Sequence, residues 1–360
     1  MKIIYFQGSL NDFRHGVWFY RQYVPARALR ERGHDVRMVV LVDKVDAGWY
    51  DFPDTAVFRN VYSTDPVPFM RELKRRGKRV VYDIDDDFFA VNPDNPAAKP
   101  AKEKQQQIIA ILREADAVTT TTEVLKNRLL QFNKNVFITP NSLDFTEFRE
   151  RPKREEILRI GYTGGASHWS DLEMIIDVLD ELQKKYQFKF VLQGFTGGPL
   201  INDIFAYTYF LKQGIEPEKK EYYEAAIRTF EKLRRLDYIH IPWYHPELYP
   251  EILRGLDLDI GLCPLKDNTF NQAKSCIKFY EFSATGSAVL ASDVLPYKTE
   301  VNYRAKNTFK DWYKKLERLI KDKKFREKIA EKQWAFVEKN RNIKDVVLLW
   351  EKTFGYTGSI

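Results

Sequence analysis

Cysteine is scarce: Cys263 and Cys276 are the only two in 360 residues. Two thiols build no disulfide framework and cannot by themselves fill a four-ligand zinc site. Long apolar runs are missing too. No stretch approaches the roughly 18 uninterrupted apolar residues that a membrane span needs. The start, Met1-Lys-Ile-Ile-Tyr-Phe6, lacks the apolar core and small-residue cleavage site of a signal peptide. No low-complexity tract or short-period repeat is present. These absences lead us to expect a reduced, cytoplasmic protein.

What is present points to a globular chain of two domains. Hydrophobic residues make up 44% and charged residues 30%, which excludes a disordered or fibrous class. A length of 360 is too great for one ordinary core. The net charge of +7 is unevenly placed: residues 301–344 hold fifteen Lys/Arg against six Asp/Glu. That excess fits the solvated faces of two amphipathic helices. It equally fits attraction to an anionic partner, including peripheral contact with the inner face of a membrane. No nucleic-acid recognition motif is visible, and no nucleic-acid partner is expected.

Apolar runs alternate with helix-period segments in two series. Lys2–Phe6 reads as a strand, the loop Gln7-Gly8-Ser9 follows, and a helix runs from Trp18 to Arg32, with Gly33 as its stop. Further strands are predicted at Val36–Val42, Ala56–Val61, Arg79–Ile84, Ala117–Thr121 and Val136–Ile138. A charged stretch at Glu147–Glu156 reads as a linker. The second series opens with the strand Arg159–Tyr162 and the helix Ser170–Tyr186, with Ser170 as N-cap and Glu173 at capping-box spacing. Residues 195–236 read as a mostly helical insertion. The predicted domains are 1–150 and 151–340, with 341–360 a helix returning to the first. Two α/β series predict two Rossmann-like domains facing across a cleft, with ligands at the carboxyl ends of their strands.

Chemistry concentrates between Asn271 and Glu281. An apolar strand ends at Pro264, a polar loop follows, and a helix is predicted to start near Lys274-Ser275. A helix start offers free N–H groups and a positive dipole end to a diphosphate. Lys274 and Ser275 add a cation and a hydroxyl, Lys278 lies one turn on, and Glu281 can accept from ribose hydroxyls. The alternative is a surface Lys278–Glu281 ion pair with Ser275 as a helix cap.

The spacing Phe270-Asn271-x-x-Lys274-Ser275-x-x-Lys278-x-x-Glu281-x-x-x-x-Gly286, followed by Val289-Leu-Ala-Ser-Asp293, resembles the donor signature of family-four-like retaining GT-B glycosyltransferases. Gly33-His-Asp-Val36, Pro140-Asn-Ser-Leu-Asp144 and Gly161-Tyr-Thr-Gly-Gly165 resemble weaker marks of that family. The resemblance spans nearly the whole chain except 195–236. It implies a GT-B fold, α/β with two Rossmann-like domains. It further implies a nucleotide diphosphate sugar as donor and a glycan, lipid-linked or other hydroxyl acceptor. Retention of configuration and independence of metal or other cofactors follow from it as well. Two departures stand out. The first of the family's two glutamates falls on Ala273, leaving Asp267, Asn268 or Asn271 to contact the sugar. The usual phosphate-binding Arg and Lys are replaced by a region holding Tyr162, Ser167 and His168, so His168 would join the lysines in supplying positive charge.

The acidic run Asp83-Ile-Asp-Asp-Asp87 has three readings: a metal-binding Asp-x-Asp of GT-A type, a phosphatase nucleophile loop, or cleft acids of a GT-B enzyme. The third leaves the donor signature intact and makes Asp85 and Asp86 the catalytic candidates. The remaining expectations are Gly8, Gly164, Gly165 and His168 at the donor, and Trp243 and Tyr244 framing its base. For that aromatic pair interior packing is an equal alternative. A GT-B-shaped epimerase and a non-catalytic nucleotide-sugar-binding protein remain rival functions.

Overall fold

Strands that are apolar almost throughout require cover on both faces, and parallel sheets flanked by helices provide it. The computed structural model describes residues 1–10, 13, 15–41, 46–61, 65–148, 156–195, 207–208, 211–213 and 219–355. Its first sheet contains β1 (Lys2–Gln7), β2 (Asp35–Val40), β3 (Thr55–Arg59), β4 (Arg79–Asp83), β5 (Ala117–Thr120) and β6 (Val136–Ile138). The order is β2-β1-β3-β4-β5-β6, and every pairing is parallel. The second sheet contains β7 (Arg159–Gly164), β8 (Lys189–Gly194), β9 (Tyr238–Ile241), β10 (Ile260–Cys263), β11 (Ala288–Ser292) and β12 (Arg304–Ala305). Its order, β12-β11-β10-β7-β8-β9, is again all parallel.

Strand order reverses between β1 and β3 in the first sheet and between β7 and β10 in the second. Such reversals open a crevice at the carboxyl edge, where loops diverge to opposite faces. Ile3, Tyr5, Val57 and Val81 are buried in one core, and Ile160, Phe190, Leu262 and Leu290 in another.

Local structure departs from the sequence expectations at three places that matter for the site. The helix expected from Trp18 is a composite: α-helix at Gly16–Trp18, π-helix at Phe19–Tyr23 and α-helix at Val24–Glu31. Ser170 does not cap its helix, which spans Trp169–Gln183 with His168 at the N-cap. The Ser170 hydroxyl instead donates to Asp94 Oδ2 at 2.5 Å, a contact between domains that local spacing cannot encode. The helix expected near Ser275 is also divided. Asn268 caps a short turn, Thr269–Gln272, by accepting from Asn271 N, and the following helix begins only at Ile277 and ends at Ala284. Residues 274–276 between them are non-helical. Gly286 stops that helix with φ +73°, which favours glycine.

The C-terminal helix, Ile343–Thr353, lies on the first domain. Glu351 accepts from Arg32 at 2.6 Å and pairs with His34 at 2.8 Å. Thr353 and Phe354 carbonyls accept from Arg79 and Thr55. Most of the expected linker and much of the 195–236 insertion lie outside the described residues; within the insertion, Lys220–Leu233 is helical.

Candidate functional site

A cleft of about 440 Å³ opens between the carboxyl edges of the two sheets. Loops after β1, β4 and β6 line one wall, through His15, Tyr20, Asp85, Asp86 and Asn141. The opposite wall comes from the ends of β7 and β9 and from the segment after β10. It carries Gly164, Gly165, His168, Trp243, Tyr244, Tyr249, Lys274, Ser275, Lys278 and Glu281.

Glu281 sits deep in this cleft, buried on the inner face of its helix. Its Oε1 accepts from Tyr20 at 2.5 Å and its Oε2 from Tyr249 at 3.1 Å. Burial pushes its carboxyl up to about 7, against the downward pull of both hydroxyls and of Lys278. The surface ion pair allowed by the Lys278/Glu281 spacing does not form. Lys278 is half-buried on the cleft wall, and its ammonium donates to Tyr162 OH at 3.2 Å. It lies 4.8 Å from the centre of the Tyr162 ring. Burial holds its pKa below the ordinary lysine value. Lys274 reaches across the cleft to Asp86 Oδ1 at 3.5 Å and stacks over Phe270 at 4.5 Å. Ser275 Oγ accepts from Asn141 Nδ2 at 2.8 Å. Two cations, a hydroxyl and a carboxylate acceptor therefore converge from one short segment.

His168 is held by Asp171, whose Oδ2 lies 2.8 Å from Nδ1. Burial lowers its pKa to about 4, with Lys278 and Lys274 acting in the same direction. The ring is thus neutral near pH 7, and the expectation that His168 supplies positive charge is corrected. With Nδ1–H donated to Asp171, the other nitrogen is an acceptor. Gly165 leaves open space where a side chain would stand.

The acidic run divides by burial. Asp83, fully buried, binds Arg21 through both oxygens, at 2.5 and 3.2 Å, and Arg59 at 2.9 Å. These guanidiniums, with the Thr119 hydroxyl, hold its carboxyl below the usual range although burial opposes them. Asp85 reaches the cleft and pairs with Arg59 Nη2 at 2.8 Å. Burial raises its pKa, Arg59 opposes this, and the nearby Asp86 and Asp83 charges add to it. Asp87 is turned away to Arg128. No group of three metal-ligating side chains occurs among the described residues.

Two expected donor residues do not line the main cleft. Gly8 packs against the end of β3: a Cβ there would sit 1.8 Å from the Asn60 carbonyl oxygen. Close approach of two backbones, not of a ligand, demands glycine at that point. Asn271 ties down its own loop, donating to Lys266 O at 2.9 Å. Asp267 and Asn268 are likewise engaged locally, with Gln272 and with Asn271 N. None of these three lines the main cleft, but Asn268 and Asn271 line a smaller pocket beside it that also holds His168 and Lys274. Ala273 itself is 1% exposed and belongs to the core of the first domain, where its carbonyl accepts from Thr122. Trp243 and Tyr244 are 44% and 37% exposed on the cleft wall, which removes interior packing as their explanation.

Sequence reading missed Tyr20, Tyr249, Arg21 and Arg59. Arg59 carried a signal, as a lone charge closing an apolar strand. The tyrosines carried none, because their partner is distant in sequence.

No family model matches this sequence. TuaH of Bacillus subtilis (strain 168), named for a teichuronic acid biosynthesis glycosyltransferase, is 23% identical over 265 residues. The match covers 68% of this chain and 55% of TuaH, so the chain spans about half the length of that relative. Anabaena Alr3699/HepE, solved with UDP, superposes with a TM-score of 0.67 at 11% identity, covering 98% of this chain and 99% of that one. The chain has the GT-B fold. An alpha-glucosyltransferase solved with UDP and a 13-mer DNA containing an HMU base has the same GT-B arrangement. Its TM-score is 0.66 at 14% identity, over 98% of this chain and 99% of that one. HepE has also been solved with UDP and glucose.

Proposed function

We propose that this protein transfers a sugar from a UDP-sugar to an acceptor hydroxyl. The convergence of Lys274, Ser275, Lys278 and Glu281 in one interdomain cleft carries this reading. The bond between the sugar C1 and the diphosphate oxygen breaks, and its electron pair leaves with UDP. Lys274, Lys278 and the Ser275 hydroxyl stabilise that charge. The acceptor oxygen bonds to C1 and passes its proton to the departing diphosphate oxygen, and Asp85 orients that hydroxyl. Glu281 accepts from the ribose, and Trp243 and Tyr244 flank the base. Likeness to neighbours solved with UDP supports the choice of uracil. Likeness of the donor segment to retaining enzymes supports retention of configuration, and cations already in the cleft support transfer without metal. The TuaH match supports a glycan acceptor. The exposed bases Lys310, Lys314 and Arg318, one helical turn apart, support peripheral contact with an anionic membrane.

The test is calorimetry with UDP, GDP and ADP, then turnover of UDP-sugars with glycan acceptors in EDTA. NMR of the product reports its anomeric configuration. Tight UDP binding with transfer supports the reading. Binding without transfer to any acceptor favours a non-catalytic binding protein, and rearranged sugar without acceptor favours an epimerase.

A further inference from the structure

Asn141 and Ser275 belong to different domains, yet one hydrogen bond joins them. The bond is the last link of a buried chain. Asp83 grips Arg21 through Nε at 3.2 Å and Nη2 at 2.5 Å. Arg21 is fully buried, and the ring of Trp350 lies 4.6 Å from its guanidinium carbon. Arg21 also donates to the Thr139 hydroxyl at 2.8 Å and to the Thr139 carbonyl, and its Nη1 lies 3.3 Å from Asn141 Oδ1. Asn141 Nδ2 then donates to Ser275 Oγ at 2.8 Å.

This order fixes polarity. A guanidinium has five donors and no acceptor. The side of the Asn141 amide that faces Arg21 must therefore be its oxygen. The NH₂ group is then turned to Ser275 and donates into its oxygen. Ser275 has a single hydroxyl proton, and Asn141 offers it no acceptor. That proton is directed elsewhere, and the cleft in which Lys274 and Lys278 stand is the open direction.

We propose that Asn141 is a positioning residue: by donating to Ser275 Oγ, it orients the Ser275 hydroxyl proton toward the donor's phosphates. Asp83 and Arg21, both buried in the first domain, supply the polarity. The first acid of the acidic run thereby acquires a role distinct from metal binding or catalysis. The inference rests on the diphosphate reading of Lys274–Lys278 and adds to it a dependence on the opposite domain. Phosphate affinity becomes a property of the closed interdomain arrangement, since Ser275 alone can point its proton anywhere.

The test is a double-mutant cycle over Asn141→Ala and Ser275→Ala, with UDP and uridine as probes in calorimetry. Each single change is expected to weaken UDP by about tenfold, the value of one hydrogen bond to a charged group. The double variant is expected to lose no more than either single one, and uridine affinity is expected to stay constant. Asn141→Asp is the second variant. Its carboxylate keeps the bond to Arg21 but must accept from Ser275, so UDP affinity is expected to fall further than in Asn141→Ala. Additive losses in the cycle, unchanged UDP affinity in Asn141→Ala, or equal losses for UDP and uridine overturn the proposal. Wild-type protein that binds none of UDP, GDP and ADP overturns the diphosphate reading itself, and the two failures are thereby distinct.

Discussion

Tyr20 and Glu281 meet across the cleft, with the hydroxyl of the first domain 2.5 Å from the carboxylate of the second. This contact stabilises the ionised form of a carboxyl that burial holds up at about 7. Ribose hydroxyls bind the ionised form more strongly, because a charged acceptor makes the stronger hydrogen bond. Uridine affinity is therefore expected to rise as pH increases through about 7 and to fall below it. Glu281→Gln is expected to bind weakly with no such slope. Tyr20→Phe removes a donor to the carboxylate and is expected to move the midpoint to higher pH. Uridine, which carries no titrating phosphate, is the probe for calorimetry between pH 5.5 and 8.5 at about half-unit steps, chosen to bracket the carboxyl. A flat wild-type profile excludes Glu281 as the ribose acceptor.

The same shift acts on stability, with the opposite dependence. The unfolded chain releases the Glu281 proton near the ordinary value of 4.5, whereas the folded chain holds it to about 7. Between these values the native state binds more protons, so rising pH destabilises it. The contribution is fully present below 4.5 and is lost as pH passes about 7. Glu281→Gln is expected to gain stability relative to wild type by roughly 3 kcal/mol between pH 4.5 and pH 8. Urea denaturation of both proteins across that range measures the difference. A constant gap between them would falsify a carboxyl raised by burial at this position.

Asp85→Asn separates catalysis from binding. Asparagine can still accept from Arg59 Nη2, which lies 2.8 Å from Asp85 Oδ1, so the local packing survives. The negative charge beside the reacting hydroxyl does not. Turnover is expected to drop by about hundredfold or more, the range for a positioned acid or base, while UDP affinity changes little. Steady-state kinetics paired with calorimetry decides the matter, and intact turnover removes Asp85 from the mechanism.

The fold was legible because its information is periodic and local. Apolar runs such as Val80–Tyr82 and Val289–Ala291 announce buried parallel strands, and Gly33 ends a helix where expected. Lys274, Ser275, Lys278 and Glu281 were legible as a set because they lie within one short segment. Tyr20 is 261 positions from Glu281, and Asn141 is 134 from Ser275. No spacing rule reaches across such distances, and only the facing of two sheets brings them together. Gly8 misled for the converse reason. It suits a ligand site by type, while its actual neighbour is the backbone at Asn60.

Placing at position 273 the glutamate that the resemblance of the donor segment implies tests whether the departure is a simple loss. In this chain Ala273 is 1% exposed, set among the buried residues of the first domain, with its carbonyl bound to Thr122 Oγ1 at 2.9 Å. A carboxylate side chain there would be buried among apolar groups of the first domain. It would also have to displace apolar neighbours drawn from the opposite domain. Ala273→Glu is therefore expected to destabilise the protein by about 3 kcal/mol or more, the cost of an unpaired buried charge combined with overpacking. It is expected to raise neither donor affinity nor turnover. Denaturant melts with UDP-sugar kinetics on the same preparation measure both. Gain of activity with unchanged stability is the outcome that sinks this view, because it means the side chain turns into the cleft. Loss of stability without gain means that the first domain has claimed position 273 as interface.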